Sequence, residues 1–290
     1  MMSIKKRITD FKKLYDIAPS SAKFNFIVGL FFVSILVIFI IFGDFIVPYD
    51  PLDLTDDALD APSWDHLLGT DALGRDLLSR MISGTKYSLG TSFLATSIGL
   101  LIGLLLGSSA GFFGGKLDRF LMIFMDALIV FPQFILMLIM AIVLGQGVWQ
   151  SALAIAISGI PGRFRMIRSL TISVKERGFM EAERVIGADN WHIIRTHIMP
   201  YYLSVLFVQI SLGMARGSLS LASLGFLGLG IPPPTPDWGA ELNAGRPFYL
   251  SGHWWLVIWP GVFVLMAMIG FNLLSEGLDT ILNPTMRRLH

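Results

Sequence analysis

Long stretches without a charged residue alternate with polar segments along the chain, and each is long enough for a membrane-spanning helix. The first lies between Lys23 and Asp44 and contains 20 residues, the number that one helix needs to cross a bilayer. The uncharged stretch 87–115 suits one long or tilted helix. The stretch 127–162 is too long for one helix, and the Gly-Gln-Gly sequence at 145–147 predicts a break between two. These stretches predict four spans.

Two more apolar stretches complete the predicted membrane region. One follows Pro200 and ends near Gly230, with Arg216 as its one charged residue, and the other lies within residues 247–275. The fold class is therefore an all-α membrane protein with six transmembrane helices. The predicted division is a cytoplasmic N-terminal segment 1–23, a first span 24–46, an outer loop 47–85 with an amphipathic segment at 66–80, a five-span core 86–277 that includes a cytoplasmic loop 163–200, and a cytoplasmic tail 278–290.

The basic residues are unevenly shared between the two sides of this arrangement. With a cytoplasmic N-terminus, the inner segments hold 17 of the 22 lysines and arginines. Because inner loops of membrane proteins are enriched in these residues, both termini are predicted to be cytoplasmic. The sequence thus predicts a multi-pass protein of the cell (inner or plasma) membrane, in contact with the lipid bilayer.

Composition excludes several other classes. The chain is 54% hydrophobic and only 15% charged, whereas soluble domains carry about 25% charged residues. A net charge of +1 gives no basic surface for nucleic acid. The chain contains no cysteine, which excludes thiolate metal sites and a cysteine nucleophile. The five histidines form no pair at metal-ligand spacing, so we predict no metal site.

The cytoplasmic loop 163–200 is the most densely charged part of the chain. Its residues predict two short helices around Gly187, which can end the first helix through a left-handed cap. One interpretation is a solvated loop that carries the positive charge of the inner side. The other is a docking element for a cytoplasmic partner, since long loops in compact proteins are usually functional.

Four segments of the chain together carry a resemblance to one family. The first is Glu181–Gly187, followed ten residues later by Ile198–Pro200, which resembles the EAA loop of ABC importer permeases. The other three are His66–Arg80, Phe226–Gly239 and Phe271–Leu274, which resemble motifs of the second permease subunit in the dipeptide/oligopeptide/nickel branch. Taken together, they favour the docking interpretation of the inner loop.

The resemblance implies a type I importer permease that works with several partners. These are a second homologous permease subunit, two cytoplasmic ATPase subunits that bind ATP and Mg, and an extracellular or periplasmic substrate-binding protein. This chain would have no cofactor and no enzymatic activity of its own. The family's ATPase-coupling residues would correspond here to Glu181, Ala182, Glu183, Gly187, Ala188 and Pro200. Glu183 departs from the small residue that is common at its position.

Polar residues within the predicted spans are candidates for the wall of a translocation path. Asp126 and Arg216 are the charged ones, and Gln133 and Gln209 are further candidates. Charges inside a membrane usually face a bundle interior or water, so Asp126 and Arg216 either pair with each other or Arg216 faces the path and favours anionic groups. Pro132 is expected to kink the third helix.

The glycine pattern of the second span has two interpretations. Residues 107–111 fit the G-x-S-x-G pattern of hydrolases. However, Gly99, Gly103 and two further glycines recur at four-residue spacing in an apolar helix, which favours a stripe of small residues for close helix packing.

The sequence leaves alternatives open at the level of function. We expect import of di- or oligopeptides, with nickel or another metal chelate as the alternative substrate of the same branch. A secondary transporter would work without ATP and often shows internal repeats and midplane carboxylates. A membrane-embedded enzyme would need a nucleophile, a base or metal ligands, and the sequence shows no such set.

Overall fold

The computed structural model describes residues 14–176, 189 and 199–282. Its helices are α1 (Ser20–Ile46), α2 (Leu77–Phe113), α3 (Gly115–Ile129), α4 (Gln133–Leu144), α5 (Val148–Lys175), α6 (Met199–Phe226), α7 (Trp238–Gly245) and α8 (Trp255–Leu282), with a 3-10 helix at Arg246–Ser251. Within these ranges no β-strand forms, and the one β-bridge is isolated. The all-α prediction is confirmed.

Helix length and composition identify the spans. Four of the described helices are long and apolar enough to cross a membrane: α1, α2, the Val205–Phe226 part of α6, and α8. Helices α3 and α4 are long and apolar enough only when they are taken together, as one broken span. Helix α5 occupies the position of the predicted fourth span but continues to Lys175 through three arginines. A helix thus covers each predicted stretch, while a total of six crossings stays a prediction.

The third predicted span is broken near its start. Helices α3 and α4 meet at an angle of 89°. Pro132 stands directly before the first residue of α4, where its missing N–H costs no helical hydrogen bond. The kink predicted at Pro132 is confirmed, although α3 begins at Gly115, before the predicted stretch. The bend leaves Gln133 at the start of α4.

A stripe of glycines on α2 packs against α5. A Cβ added at Gly107 would lie 2.7 Å from the Phe164 carbonyl oxygen, and one added at Gly103 would lie 2.8 Å from the Arg163 Cβ. Gly111 meets the Arg168 carbonyl oxygen in the same way, at 2.8 Å. The structure therefore confirms the packing interpretation of the stripe. This contact fixes α5, and the arginines on it, against α2.

Substituting one of these glycines tests the close approach. We expect Gly107→Ala to lower the free energy of unfolding by about 1–3 kcal/mol, because the added methyl group overlaps backbone atoms of α5 that cannot move aside. Gly90→Ala on the same helix is the matched control, since nothing lies within 4 Å of its Cβ position. Better helix propensity should raise stability there by up to about 1 kcal/mol. Thermal unfolding in detergent measures both, and equal effects would contradict the packing account.

Helices α1 and α8 form a second close pair. A Cβ on Gly29 would overlap the Leu274 amide nitrogen, and one on Gly277 would lie 2.7 Å from the Phe26 Cα. Phe39 and Phe263 stack with ring centroids 6.1 Å apart. Outside this pair, α1 keeps much of its surface exposed, which suits contact with lipid or another subunit.

Candidate functional site

A cavity of about 280 Å³ opens between α5 and α6, with the start of α4 at its edge. Four glycines belong to its lining, namely Gly159, Gly162, Gly213 and Gly217. Its polar lining consists of Gln133, Ser158, Arg163, Gln209, Arg216 and Ser220. A polar cavity between helices is the kind of place in which membrane proteins bind polar solutes.

The cavity brings together three of the four residues that the sequence nominated for a translocation path. Gln133, Gln209 and Arg216 line it, although they come from two different helices. Asp126 does not line it. Its carboxylate accepts a hydrogen bond of 2.6 Å from Arg165 Nη2, and both side chains are about half exposed. The alternative in which Asp126 pairs with Arg216 is therefore wrong.

Arg163 is the residue of the cavity that sequence reasoning missed. We expected it at the start of a cytoplasmic loop, because the uncharged stretch 127–162 ends directly before it. In the structure α5 continues through Pro161, and the Arg163 side chain reaches the cavity. Its Nη1 atom is buried and has no hydrogen-bond partner among the described residues. The four-residue spacing from Gly159, which also lines the cavity, is the signal that could have found it.

The remainder of α5 contacts α3 and α2 through its other basic side chains. Arg168 binds the Asp118 carboxylate through two nitrogens, at 2.5 and 2.6 Å. Lys175 Nζ donates to the Phe112 carbonyl oxygen at 2.7 Å. Residues 163–175 therefore form the packed second half of a helix, which corrects the expectation that the inner loop begins at residue 163.

Most of the predicted ATPase-coupling residues lie outside the described part of the chain. These are Glu181, Ala182, Glu183, Gly187 and Ala188. Pro200 falls at the second position of α6, where proline is compatible with a helix. Its position at the start of this helix agrees with the expected return of the chain towards the membrane. The coupling role of all six residues stays a prediction.

The predicted outer side carries a buried network of ion pairs. Arg80 on α2 donates from Nε to Glu241 Oε1 on α7 at 2.8 Å, and from Nη1 to the Pro51 carbonyl oxygen at 2.7 Å. The Arg80 and Glu241 side chains are only 2% and 4% exposed. Nearby, Arg75 Nε donates to Asp71 at 2.6 Å. These contacts join the segment before α2 to the segment before α8.

Residues 66–76 are not helical, so only the last four residues of the predicted amphipathic segment 66–80 lie on a helix. Gly69 and Gly74 have φ angles of +83° and +75°, which a continuous right-handed helix does not allow. Asp71 accepts two backbone N–H groups of a local turn. Asp76 then caps α2 by accepting the Ser79 N–H at 2.8 Å.

Asp237 starts α7 and connects it to α2. Its carboxylate accepts the Gly239 and Ala240 N–H groups, both at 3.1 Å, and the Ser88 hydroxyl at 2.7 Å. The side chain lies in the segment between α6 and α8 and is fully buried. Burial raises the pKa of Asp237 to about 6, against the lowering effect of these hydrogen bonds.

This raised pKa predicts a pH dependence of stability. The folded state holds the proton up to pH of about 6, whereas the unfolded chain releases it near 3.8. The contribution of Asp237 is thus fully present below pH 3.8 and is lost as the pH rises through 6. We expect the stability of the wild type relative to Asp237→Asn to fall by about 2–3 kcal/mol over this window. Thermal unfolding of both proteins across the window measures it, and a constant difference would contradict the raised pKa.

The sequence is similar to that of known membrane transport proteins. Residues 99–288 match the family described as "Binding-protein-dependent transport system inner membrane component". The chain is 36% identical over 266 residues to the di/tripeptide transport system permease protein DppC of Pseudomonas aeruginosa, covering 89% of this chain and 88% of the relative. It is also 36% identical over 259 residues to the glutathione transport system permease protein GsiD of Pectobacterium atrosepticum, covering 88% and 85%.

A solved structure shares the fold. The chain superposes on a subunit of the MetNI methionine ABC transporter, in an inward-facing conformation, with a TM-score of 0.56 and 18% sequence identity. The match covers 69% of this chain and 94% of that subunit. It confirms the type I importer permease fold that the sequence motifs implied.

These matches establish what kind of protein the chain is. The predicted family and the location in the inner membrane with several spans are both confirmed. In ABC importers ATP is hydrolysed by separate subunits, so this component is not itself an enzyme. The chain belongs to the family of binding-protein-dependent transport system inner membrane components, as an ABC importer permease of the branch that contains the dipeptide permeases.

Proposed function

We propose that this chain forms half of the translocation path of an ATP-driven importer for di- or oligopeptides. The observation that carries the proposal is the similarity along about nine-tenths of the chain to a permease named for di- and tripeptides. The relative named for glutathione, itself a tripeptide, supports the same class of substrate. The polar cavity between α5 and α6 supplies amide, hydroxyl and guanidinium groups that match the polar groups of a peptide.

The importer requires partners that we assign by the family. A second, homologous permease subunit completes the path, and two cytoplasmic ATPase subunits bind ATP and Mg. A substrate-binding protein delivers the peptide from outside. Its docking surface on this chain would be the outer segments 47–85 and 231–254, which the Arg80–Glu241 pair joins. That buried pair would let the two segments present one rigid surface.

Coupling to the ATPases would use the inner loop. Glu181, Gly187 and Pro200 carry the motif of the coupling loop. The helix pair around Gly187 would sit in a groove of one ATPase subunit and pass its closure to α5 and α6, which flank the loop on either side. Since α5 and α6 also line the cavity, a movement of the loop would act directly on the path.

The test of this proposal is ATPase stimulation in the reconstituted complex. The complete transporter receives its binding protein loaded with a dipeptide or with a nickel chelate. We expect the dipeptide-loaded protein to stimulate ATP hydrolysis. Stimulation by the nickel chelate alone would replace the peptide with the metal complex as substrate, and no stimulation by either would contradict the assignment of a peptide importer.

A further inference from the structure

Two arginines face the same cavity without an acidic partner. Arg163 on α5 and Arg216 on α6 both line the space and lie close enough for their charges to repel. No carboxylate belongs to the lining, and neither arginine forms an ion pair within the described ranges 14–176 and 199–282. Two unneutralised cations therefore share one polar cavity.

The other arginines of α5 show that this lack of a partner is specific. Arg165 binds Asp126 at 2.6 Å, and Arg168 binds Asp118 through two nitrogens. These pairs hold α5 against α3. Arg163 is on the same helix and packs against Gly99 of α2, yet it forms no ion pair with the described residues and its Nη1 atom has no hydrogen-bond partner among them. Arg163 therefore contributes packing against the glycines of α2, but its charge joins no pair of elements as the charges of Arg165 and Arg168 do.

Leaving the Arg163 guanidinium without a partner is costly, whereas Arg216 is exposed. Arg163 Nη1 is buried and makes no hydrogen bond among the described residues, and an unsatisfied buried donor on a charged group costs more than a neutral one. An anion between the two guanidinium groups would supply acceptors and relieve the repulsion. Arginine suits a carboxylate especially well, since its planar fork binds both oxygens.

The surroundings fit an anion that is part of a peptide. Gln133 and Gln209 offer amide groups, and Ser158 and Ser220 offer hydroxyls, at other points of the same wall. The cavity of about 280 Å³ has room for more than a single carboxylate. A lone carboxylate from a neighbouring subunit would neutralise the arginines but would not use these additional groups.

We propose that Arg163 and Arg216 form an anion subsite that takes a carboxylate of the transported peptide. This inference rests on the proposed function, since it assigns a group of the substrate to a place on the path. The subsite would favour peptides with a free carboxylate over the corresponding amides, independently of the binding protein.

The experiment measures binding of free peptide to the purified, nucleotide-free complex without its binding protein. The probes are alanyl-alanine and its C-terminal amide. Equilibrium dialysis at millimolar peptide concentrations measures the binding of each. We expect the wild type to bind the dipeptide at least about tenfold more tightly than its amide, because charge-assisted hydrogen bonds are stronger than neutral ones. Arg163→Gln and Arg216→Gln should each reduce this preference, and Arg216→Lys should keep part of it.

Arg165→Gln is the matched control. It removes the same charge from the same helix, outside the cavity, and should leave the preference unchanged. Absence of peptide binding in the wild type, or equal binding of acid and amide, would overturn the subsite. Neither outcome would contradict the proposed function, which the ATPase experiment tests separately. Loss of the second permease subunit on purification of Arg163→Gln and Arg216→Gln, but not of Arg165→Gln, would also overturn the subsite, by assigning the arginines to subunit contact.

Discussion

Replacing Glu241 with glutamine is expected to lower the free energy of unfolding by about 3–5 kcal/mol, because it leaves the buried Arg80 charge without its partner. Glutamine keeps nearly the same volume, so packing is preserved and the effect reports the charge. Asp71 compensates for Glu241 only in part, since its carboxylate lies 3.9 Å from Arg80 Nε and already accepts a hydrogen bond from Arg75. Thermal or denaturant unfolding of the detergent-purified chain measures the loss.

The matched control is the exposed ion pair between Asp126 and Arg165. Its side chains are 50% and 47% exposed, and pairs of this kind contribute about 0–1 kcal/mol. Asp126→Asn should therefore change stability little, although it also removes one carboxylate from an ion pair. If both variants lost the same small amount of stability, the outer network would not hold the two outer segments together as we describe.

Changing the inner loop is expected to uncouple ATP hydrolysis from the binding protein. In a Gly187→Pro/Glu181→Arg double variant, we expect stimulation by the loaded binding protein to fall at least about tenfold, within the range of typical coupling energies. Proline would prevent the left-handed turn predicted at Gly187, and arginine would reverse the charge offered to the ATPase groove. The measurement is ATPase activity of the assembled complex.

The control for this variant is Glu176→Arg. It makes the same charge reversal at the exposed end of α5, before the coupling motif. Its complex should assemble and be stimulated normally. Normal stimulation of the double variant would contradict the coupling role of the loop, and failure of the control would show that any charge reversal near this loop disturbs the transporter.

The apolar stretches predicted the helices well, since a bilayer requires long uncharged segments whatever the tertiary packing. The break at Pro132 and the close contact along the glycine stripe of α2 also follow from local rules, because proline lacks an N–H and glycine lacks a side chain. Helix boundaries were less certain. Helix α5 runs thirteen residues past Gly162, to Lys175, since contacts with α2 and α3 stabilise its charged second half.

The composition of the cavity was only partly predictable. Arg216, Gln133 and Gln209 stood out as polar residues in apolar surroundings. Arg163 did not stand out, because it directly follows the uncharged stretch 127–162 and was therefore counted with the cytoplasmic loop. Only the continuation of α5 brings it to the cavity. The partner of Asp126 is also a tertiary property, since Arg165 is 39 residues away in sequence.

Uptake of a labelled dipeptide into proteoliposomes tests the central claim most directly. The vesicles contain this chain with its permease partner and ATPase subunits, and the loaded binding protein stands on the side of the outer segments. We predict accumulation that requires ATP on the opposite side and continues when ionophores remove all ion gradients. Accumulation that an ion gradient drives without ATP would contradict the account and would identify a secondary transporter instead.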